Sequence, residues 1–376
     1  MDAKFDIKFM ALALNLAKRN LGLTAPNPVV GCVIVKDGEI ISTGVTAVSG
    51  RPHAEKIAID KVVDKQKLHG ATLYVTLEPC CHTGQTAPCT NLIIESKFAK
   101  VVIATIDTYK KVNGNGIVKL REAGIDVVCG ILEKEAREIN KAFFKKQETH
   151  LPYVTLKLAT SLDGKIATKN FNSKWITGEK ARDFSHFLRA QNDAIMVGAN
   201  TVKHDNPTLD CRIAGLEDHS PTRIIISDDF NFDENANIFS TAKKIKTIIL
   251  ASSINASSNK DKITKLQNLC VEIIFCDENS VAKNGKINLK IALEKIAESG
   301  VNSILIEGGQ NLASQFLQQN LVDELVWIQN RKIIGNDGIA AIGELGFTAL
   351  EEVIRNFTKT ELQEISDEDF VSIYKR

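Results

Sequence analysis

Residues 78–89 read Glu78-Pro79-Cys80-Cys81-His82-Thr83-Gly84-Gln85-Thr86-Ala87-Pro88-Cys89, with three cysteines and a histidine in twelve positions. Thiolate and imidazole are the donors zinc prefers, and a structural zinc site closes all four positions with protein. Cys80, Cys81, His82 and Cys89 can in principle close such a site. Adjacent Cys80 and Cys81 argue against it, because neighbouring side chains on an extended chain point to opposite sides. A better partner lies upstream, in the run RPHAEKIAID of residues 51–60. Pro52 suits the first turn of a helix, which puts His53 at the helix start and Glu55 two residues on.

A histidine and a glutamate separated by one residue, then Pro-Cys, then a further Cys form the signature of zinc-dependent deaminases. Here the parts are His53-Ala54-Glu55, Pro79-Cys80 and Cys89. The usual form has two residues between the cysteines; here there are eight, so the insert CHTGQTAP is expected beside the site. Cys89 precedes the helical run TNLIIESK, whose N-terminus favours a thiolate. With His53, Cys80 and Cys89 as ligands, one position is left for water, whose pKa zinc lowers to about 7. Glu55 would then carry the proton and is not a ligand. The competing reading of Glu55 is a solvated helix carboxylate. Residues two apart do not share a helix face, so His53 and Glu55 must converge by both lying in the first turn. Cys81 reads as a small loop residue, and His82 is open between a bystander and a substrate contact. Cys32, Cys129, Cys211, Cys270 and Cys276 stand singly in or near strand patterns, as small core residues do.

Working outward, the first half alternates helix and strand. A helix over about 5–20 leads to strand VVGCVIVKDG, whose Asp37-Gly38 reads as a hairpin turn into EIISTG. Helix AEKIAIDKVV, strand TLYVTLE, helix TNLIIESK, and strands KVVIATID and DVVCG follow, and one helix over about 132–147 closes the unit. The second half restarts at His150-Leu151-Pro152. Its strands are YVTLKLA, DAIMVG, TRIIIS, KTIILAS, VEIIF, SILIEGG and DELVWIQ, with helices between them and a polar loop at NASSNKDK. Both halves are α/β, with domains expected over 1–150 and 151–376.

Length supports two cores, and 25% charged and 44% apolar residues describe an ordinary folded chain. The net charge is +1 overall, +5 for residues 1–150 and −4 for the rest. Neither half carries the bulk charge that holds nucleic acid. The N-terminus is broken by charges and lacks a signal peptide's apolar stretch, and no run spans a membrane. A cytoplasmic location with reduced thiols is therefore expected. Homo-oligomerisation is compatible with the sequence, which does not fix the number of copies.

TAPNPVVGCVIV, HAE and TLEPCCHTGQTAPC together resemble the deaminase domain of the bifunctional riboflavin-biosynthesis deaminase/reductase family. KLATSLDGKIA, SKWIT, LRAQNDAIMVGANTVKHDNPTL and ILIEGGQNLASQFL resemble its reductase domain, in the family's order. The resemblance implies a cytidine deaminase-like α/β/α domain followed by a dihydrofolate reductase-like α/β domain. It implies Zn2+ and NADPH as cofactors and a small-molecule pyrimidine nucleotide as substrate, with no nucleic acid and no membrane. The first domain would deaminate 2,5-diamino-6-ribosylamino-4(3H)-pyrimidinone 5′-phosphate. The second would reduce the ribosylamino-uracil phosphate so formed to its ribityl form. The competing reading is a nucleic-acid base deaminase with an accessory domain, which would want a basic, aromatic surface.

By the same matching, Asn27 lines the deaminase pocket, with a loop-stabilising role as the alternative. Ser173, Arg189, Leu209, Arg212 and Glu307 match substrate positions; arginine suits phosphate through its fork of donors. Ala159, Trp175, Thr201, Asp205, Asp228 and the segment Gly309, Gln310, Asn311, Leu312, Ala313, Ser314 and Gln315 match cofactor positions. SILIE running into Gly308-Gly309 and a helix also reads as a turn where backbone approaches a phosphate at a helix N-terminus, though a plain tight turn reads the same way. Lys157 and Asp163 receive no firm role. The NGNG of residues 113–116, KNFNSKWIT and WIQNRKIIG depart from the family's pattern.

Overall fold

The computed structural model describes residues 3–83, 87–109, 112–276 and 287–376. The chain divides into two compact units after His150. The first holds α1 (Ala3–Lys18), β1 (Gly31–Lys36), β2 (Glu39–Val45), α2 (Ala54–Lys61), β3 (Thr72–Val75), α3 (Cys89–Glu95), β4 (Lys100–Ile103), α4 (Asn115–Glu122), β5 (Asp126–Cys129), α5 (Glu133–Ile139) and α6 (Lys141–Thr149). Its sheet runs β2-β1-β3-β4-β5. β1 is antiparallel to both neighbours, while β3, β4 and β5 are parallel.

Alternation along β1 makes this sheet the middle layer of a sandwich. Cys32 and Ile34 enter one apolar cluster with Ala54, Ala58, Ile93 and Leu120 of α2, α3 and α4. Val33 and Val35 enter another with Phe9, Met10 and Ala13 of α1 and Ala136 of α5. A period of two sends successive side chains to opposite faces, so helices cover both. Asp37 and Gly38 have φ of 50° and 83°, as a two-residue hairpin turn demands.

Two expectations need correction. Between the strands KVVIATID and DVVCG lies α4, which buries Ile117 and Leu120; its NGNG opening reads as loop and hides it. The single closing helix is two helices, interrupted at Asn140 (φ −102°, ψ 20°). There the Asn140 side chain accepts from Val29 N at 2.9 Å and donates to Val29 O at 2.9 Å, which ties down the Asn27-Pro28 loop.

The second unit holds β6 (Tyr153–Thr160), β7 (Lys165–Ala167), α7 (Glu179–Ala190), β8 (Ala194–Gly198), α8 (Ala199–Asp205), β9 (Thr222–Ser227), α9 (Asn237–Ser240), β10 (Thr247–Ser252), α10 (Lys260–Asn268), β11 (Val271–Cys276), α11 (Leu289–Glu298), β12 (Ser303–Ile306), α12 (Gln310–Gln318), β13 (Glu324–Asn330), β14 (Ile339–Ala340), β15 (Thr358–Glu364) and β16 (Asp369–Lys375). The stretch NASSNKDK is not all loop, because α10 begins at Lys260. The main sheet runs β11-β10-β9-β8-β12-β6-β13-β16-β15. β8 and β12 are parallel neighbours. The chain leaves β8 toward β9 on one side and β12 toward β13 on the other. Strand order therefore reverses between them, and a crevice opens beyond their C-terminal ends at such a switch point.

Candidate active sites

In the first unit His53 is the N-cap of α2, with extended backbone (φ −70°, ψ 157°). Pro52 thus precedes the helix rather than standing in its first turn. His53 lies off the helical spiral, so the helix-face rule does not separate it from Glu55, the second helical residue. Both face Cys89, the first residue of α3: His53 Nδ1 lies 3.4 Å from Cys89 Sγ, and the Glu55 carboxylate is close enough to raise the Cys89 thiol's pKa. His53 Nδ1 lies 3.7 Å from Cys80 Sγ, and Cys89 N–H donates to Cys80 Sγ at 3.3 Å.

The ligand atoms of His53, Cys80 and Cys89 all lie within 4.8 Å of one another, the one such group among the described residues. A tetrahedral zinc with Zn–S of about 2.3 Å and Zn–N of about 2.0 Å sets nitrogen and sulfur about 3.5 Å apart. The donors fit that spacing and that chemistry. Neither Cys81 nor His82 joins the group, which sets aside the closed four-donor reading. Of the insert, residues 84–86 lie outside the described residues.

A hydrogen bond from the Cys89 thiol, aided by His53, holds the Cys80 thiol down to about 4. Cys89, which keeps the shared proton, is pushed up. The bond to Cys80 raises His53, and burial raises Glu55, which is 3% exposed.

These groups open on a cavity of about 350 Å³, lined also by Asn27, Arg51, His82, Asp107 and Tyr109. Asn27 combines both of its readings. It lines the cavity, and its Nδ2 donates to Gly50 O at 3.1 Å. Burial pushes Asp107 up to about 6. His82 packs its ring 5.6 Å from Tyr109, and its buried Nδ1 has no partner among the described residues. Buried Glu78 accepts from the backbone N–H of Asp107, Gly114, Gly116 and Ile117 at 2.8–3.3 Å. One carboxylate thus caps α4 and fixes the wall that carries Asp107 and Tyr109. Sequence reasoning missed Glu78, Asp107 and Tyr109; four backbone donors converging from a distant loop leave no mark in residue types.

In the second unit Glu307, just beyond β12, joins three elements. Arg189 of α7 grips it with two bonds, Nε–Oε1 at 2.8 Å and Nη2–Oε2 at 3.0 Å. Lys157 of β6 lies 3.6 Å from its Oε2. Burial alone would raise the Glu307 carboxyl, but Arg189 and Lys157 outweigh it and hold it at about 2. Arg189 Nη1 donates to Asp210 O at 3.0 Å. Arg212 follows on the same loop with a side chain 62% exposed, and buried Leu209 holds the loop from below with φ 54°. The structure therefore brings Arg189, Leu209, Arg212 and Glu307 together with Lys157, His186 and Asp210.

At the switch point between β8 and β12 two helices start, α8 and α12, and neither N-cap residue supplies a side-chain hydrogen bond. Their N-cap residues are Gly198 and Gly309, and a Cβ built on either meets nothing within 4 Å. Such open cradles at switch-point helix starts fit the phosphates of a dinucleotide. Thr201 and Asp205 lie on α8. Gly309, Gln310, Asn311 and Gln315 are accessible on α12, whereas Leu312, Ala313 and Ser314 are buried. Ala159 lies near the end of β6. Trp175 is exposed, with Arg182 Cζ 4.3 Å above its ring, and Ser173 O accepts from Ile176 N at 3.1 Å. Asp228 directly follows β9, and its Oδ1 accepts from Ile287 N at 2.9 Å. Asp163 accepts from Ile334 N at 3.1 Å and Gly335 N at 2.7 Å, which gives it a loop-tying place.

Family models match both units. Residues 3–105 match the cytidine and deoxycytidylate deaminase zinc-binding region, and residues 152–369 match the RibD C-terminal domain. The riboflavin biosynthesis protein RibD of Aquifex aeolicus is 39% identical over 376 residues, covering 100% of both chains. That of Escherichia coli is 36% identical over 343 residues, covering 88% of this chain and 89% of its own. Among solved structures, a diaminohydroxyphosphoribosylaminopyrimidine deaminase/5-amino-6-(5-phosphoribosylamino)uracil reductase of Thermotoga maritima superposes with TM-score 0.86 at 35% identity, covering 99% of each chain. Acinetobacter baumannii RibD gives 0.87 at 32% identity, covering 100% of this chain and 99% of the other. The α/β fold class expected for each half, deaminase-like and reductase-like, holds. Identity of this order along the whole of both chains is inheritance of the complete two-domain arrangement, and the chain belongs to the RibD family of bifunctional riboflavin-biosynthesis deaminase/reductases.

Proposed function

We propose that residues 1–150 deaminate 2,5-diamino-6-ribosylamino-4(3H)-pyrimidinone 5′-phosphate and that residues 151–376 reduce the resulting 5-amino-6-(5-phosphoribosylamino)uracil to its ribitylamino form. The observation that carries the first step is the His53–Cys80–Cys89 triangle with buried Glu55 beside it. Held by these three residues, Zn2+ supplies the Lewis acidity that brings a water's pKa to about 7. Glu55 takes a proton from the attacking water and delivers it to the ring nitrogen and the departing ammonia. Burial raises its proton affinity, which suits a group that must hold a proton between those two steps. Asn27, His82 and Asp107 line the cavity and orient the polar ring.

In the reductase half NADPH supplies the hydride. Gly309, Gln310, Asn311 and Gln315 with Thr201, Asp205, Trp175 and Ala159 bind it. Leu312, Ala313 and Ser314 act through the backbone they pack, and Asp228, at the end of β9, joins the cofactor contacts. Arg212 takes the substrate's phosphate. Lys157, Arg189 and Glu307 set the floor on which the sugar lies, with Leu209 and Ser173 at its edges. Hydride transfer needs placement more than a reactive side chain, so these residues position. The substrate is a free nucleotide and not a base in nucleic acid, in keeping with a net charge of +1. A cytoplasmic location suits a chain whose cysteines are all free thiols.

The test is Glu55→Gln. Zinc content should match the wild type, ammonia release should fall roughly 10²–10⁴-fold, and NADPH oxidation with the aminouracil substrate should be unchanged. A Glu55→Gln enzyme that still deaminates would remove Glu55 from the mechanism. Ammonia released from tRNA but not from the nucleotide would reject the substrate.

A further inference from the structure

Helix α7 turns a second side chain toward the loop that carries Arg212. His186, one turn before Arg189, is 9% exposed. Both of its ring nitrogens are engaged. Nδ1 lies 3.1 Å from the carbonyl oxygen of Asp210 and farther, 3.5 Å, from Nη1 of Arg189, which donates to that same carbonyl at 3.0 Å; Nε2 lies 3.3 Å from Nε of Arg212. A carbonyl only accepts and a guanidinium only donates. Nδ1 therefore carries the proton and Nε2 is a bare acceptor. Both contacts are satisfied by one species, the neutral ring protonated at Nδ1.

We propose that His186 is a positioning residue for the reductase: by accepting from Arg212 Nε it aims that guanidinium at the substrate's phosphate, and only the uncharged ring can do so. The proposal rests on the reading of Arg212 as the phosphate contact. Arg212 is a long, mostly exposed side chain whose one carboxylate neighbour, Asp210 Oδ1, stands 3.7 Å away. Left alone it would lose much of its binding energy to rotamer entropy. With Nε anchored inward, its two terminal nitrogens remain as an outward fork, the geometry that phosphate takes.

The charged groups facing His186 are Arg189 on its own helix, Asp210 and Arg212 on the loop, and Glu307 beyond β12. Burial first, then Arg189 and Arg212, holds its pKa below the usual histidine value. As pH falls through that pKa, Nε2 gains a proton, the acceptor becomes a donor, and two cations face each other. Arg212 is then released. KM for the substrate rises on acidification, while kcat and the KM for NADPH do not follow.

The experiment measures steady-state NADPH oxidation by the full chain with 5-amino-6-(5-phosphoribosylamino)uracil between about pH 5 and about pH 8. His186→Gln places an amide oxygen near Nε2 and does not titrate; His186→Phe removes the acceptor. At about pH 7.5, Arg212→Ala and His186→Phe should each raise KM about tenfold with kcat little changed, as loss of a hydrogen bond to a charged group does. His186→Gln should keep the wild-type KM there, and its KM should fall progressively below the wild type's as pH is lowered toward about 5. The substrate phosphate titrates near pH 6 in every enzyme form, so the ratio of variant to wild type is read. If Arg212→Ala leaves KM unchanged, the phosphate reading of Arg212 fails, and the proposal with it. If Arg212→Ala raises KM but the His186→Gln ratio is flat with pH, or His186→Gln is impaired at neutral pH, the proposal is overturned while that reading stands. The ratio decides even where His186→Phe folds poorly.

Discussion

The deaminase half gathers its chemistry into two short segments, residues 53–55 and 80–89, whose nitrogen and sulfur atoms sit at metal-ligand spacing. The reductase half draws Lys157, Arg189, Arg212 and Glu307 from β6, α7, a loop and the end of β12; Lys157 and Arg189 hold Glu307, and Asp210 and His186 link Arg212 to them. In the first half a residue's chemistry states its role. In the second, a residue is read through its partners: Arg189 bonds Glu307 and Asp210 through Nε, Nη1 and Nη2, while Arg212 bonds His186 through Nε. Two arginines that look alike in sequence thus differ in burial and partners, Arg189 enclosed against Glu307 and Arg212 with a side chain 62% exposed.

The largest expected effect breaks one half and spares the other. Cys89→Ser should lose most of its zinc and all measurable deaminase activity, because serine replaces a thiolate that the metal prefers. Metal analysis beside both half-reactions checks this; reductase turnover should be intact. Full zinc in that variant would move suspicion to Cys81 or His82.

Glu307→Gln is the counterpart in the other half. It strands Arg189 in a buried site and should destabilise residues 151–376 by roughly 3–5 kcal/mol, the cost of breaking a buried pair from one side. Both tryptophans, Trp175 and Trp327, lie in this half, so tryptophan fluorescence reports it alone. The pH sign follows from a carboxyl held at about 2, below its usual value of 4.5. Its stabilisation is full above about pH 4.5 and is lost as pH falls toward about 2, roughly 3 kcal/mol in all. That component of acid unfolding should vanish in Glu307→Gln. A variant with the same acid midpoint as the wild type would show that the network does not stabilise the fold.

The same contrast explains what could be read from sequence. The triad and Glu55 were legible because cysteine and histidine are rare and zinc fixes their separation. The core strands were legible through runs such as Ile224–Ile226 and Ile248–Leu250. By contrast, β15 was not legible: every residue of Thr358–Glu364 is exposed, and an edge strand without apolar alternation looks like loop. α4 was hidden behind two glycines, and the break at Asn140 depends on a side chain that bonds Val29, 111 positions away. Glu78 and His186 were invisible for the same reason, since a hydrogen-bond partner brought close by folding has no sequence period.

Two glycine substitutions give the finest test, because they separate a glycine the fold needs from one a ligand needs. Gly50 has φ 81°, and a Cβ there would lie 2.2 Å from Asn27 Nδ2. Gly50→Ala should cost at least about 1 kcal/mol from backbone alone, displace Asn27, and raise the deaminase KM with zinc retained. Gly309 has φ −71° and open space where its Cβ would go. Gly309→Ala should therefore cost no more than about 1 kcal/mol, the ordinary penalty of alanine at a helix N-cap. Its effect should fall instead on the KM for NADPH, because the added methyl group occupies space that a phosphate takes beside the free N–H groups of α12. Substrate KM and deamination should be untouched. Calorimetry with both half-reactions distinguishes the cases. If Gly309→Ala unfolds the reductase half, the cradle is a packing feature; if it leaves NADPH affinity unchanged, the cofactor's phosphates lie elsewhere along the crevice.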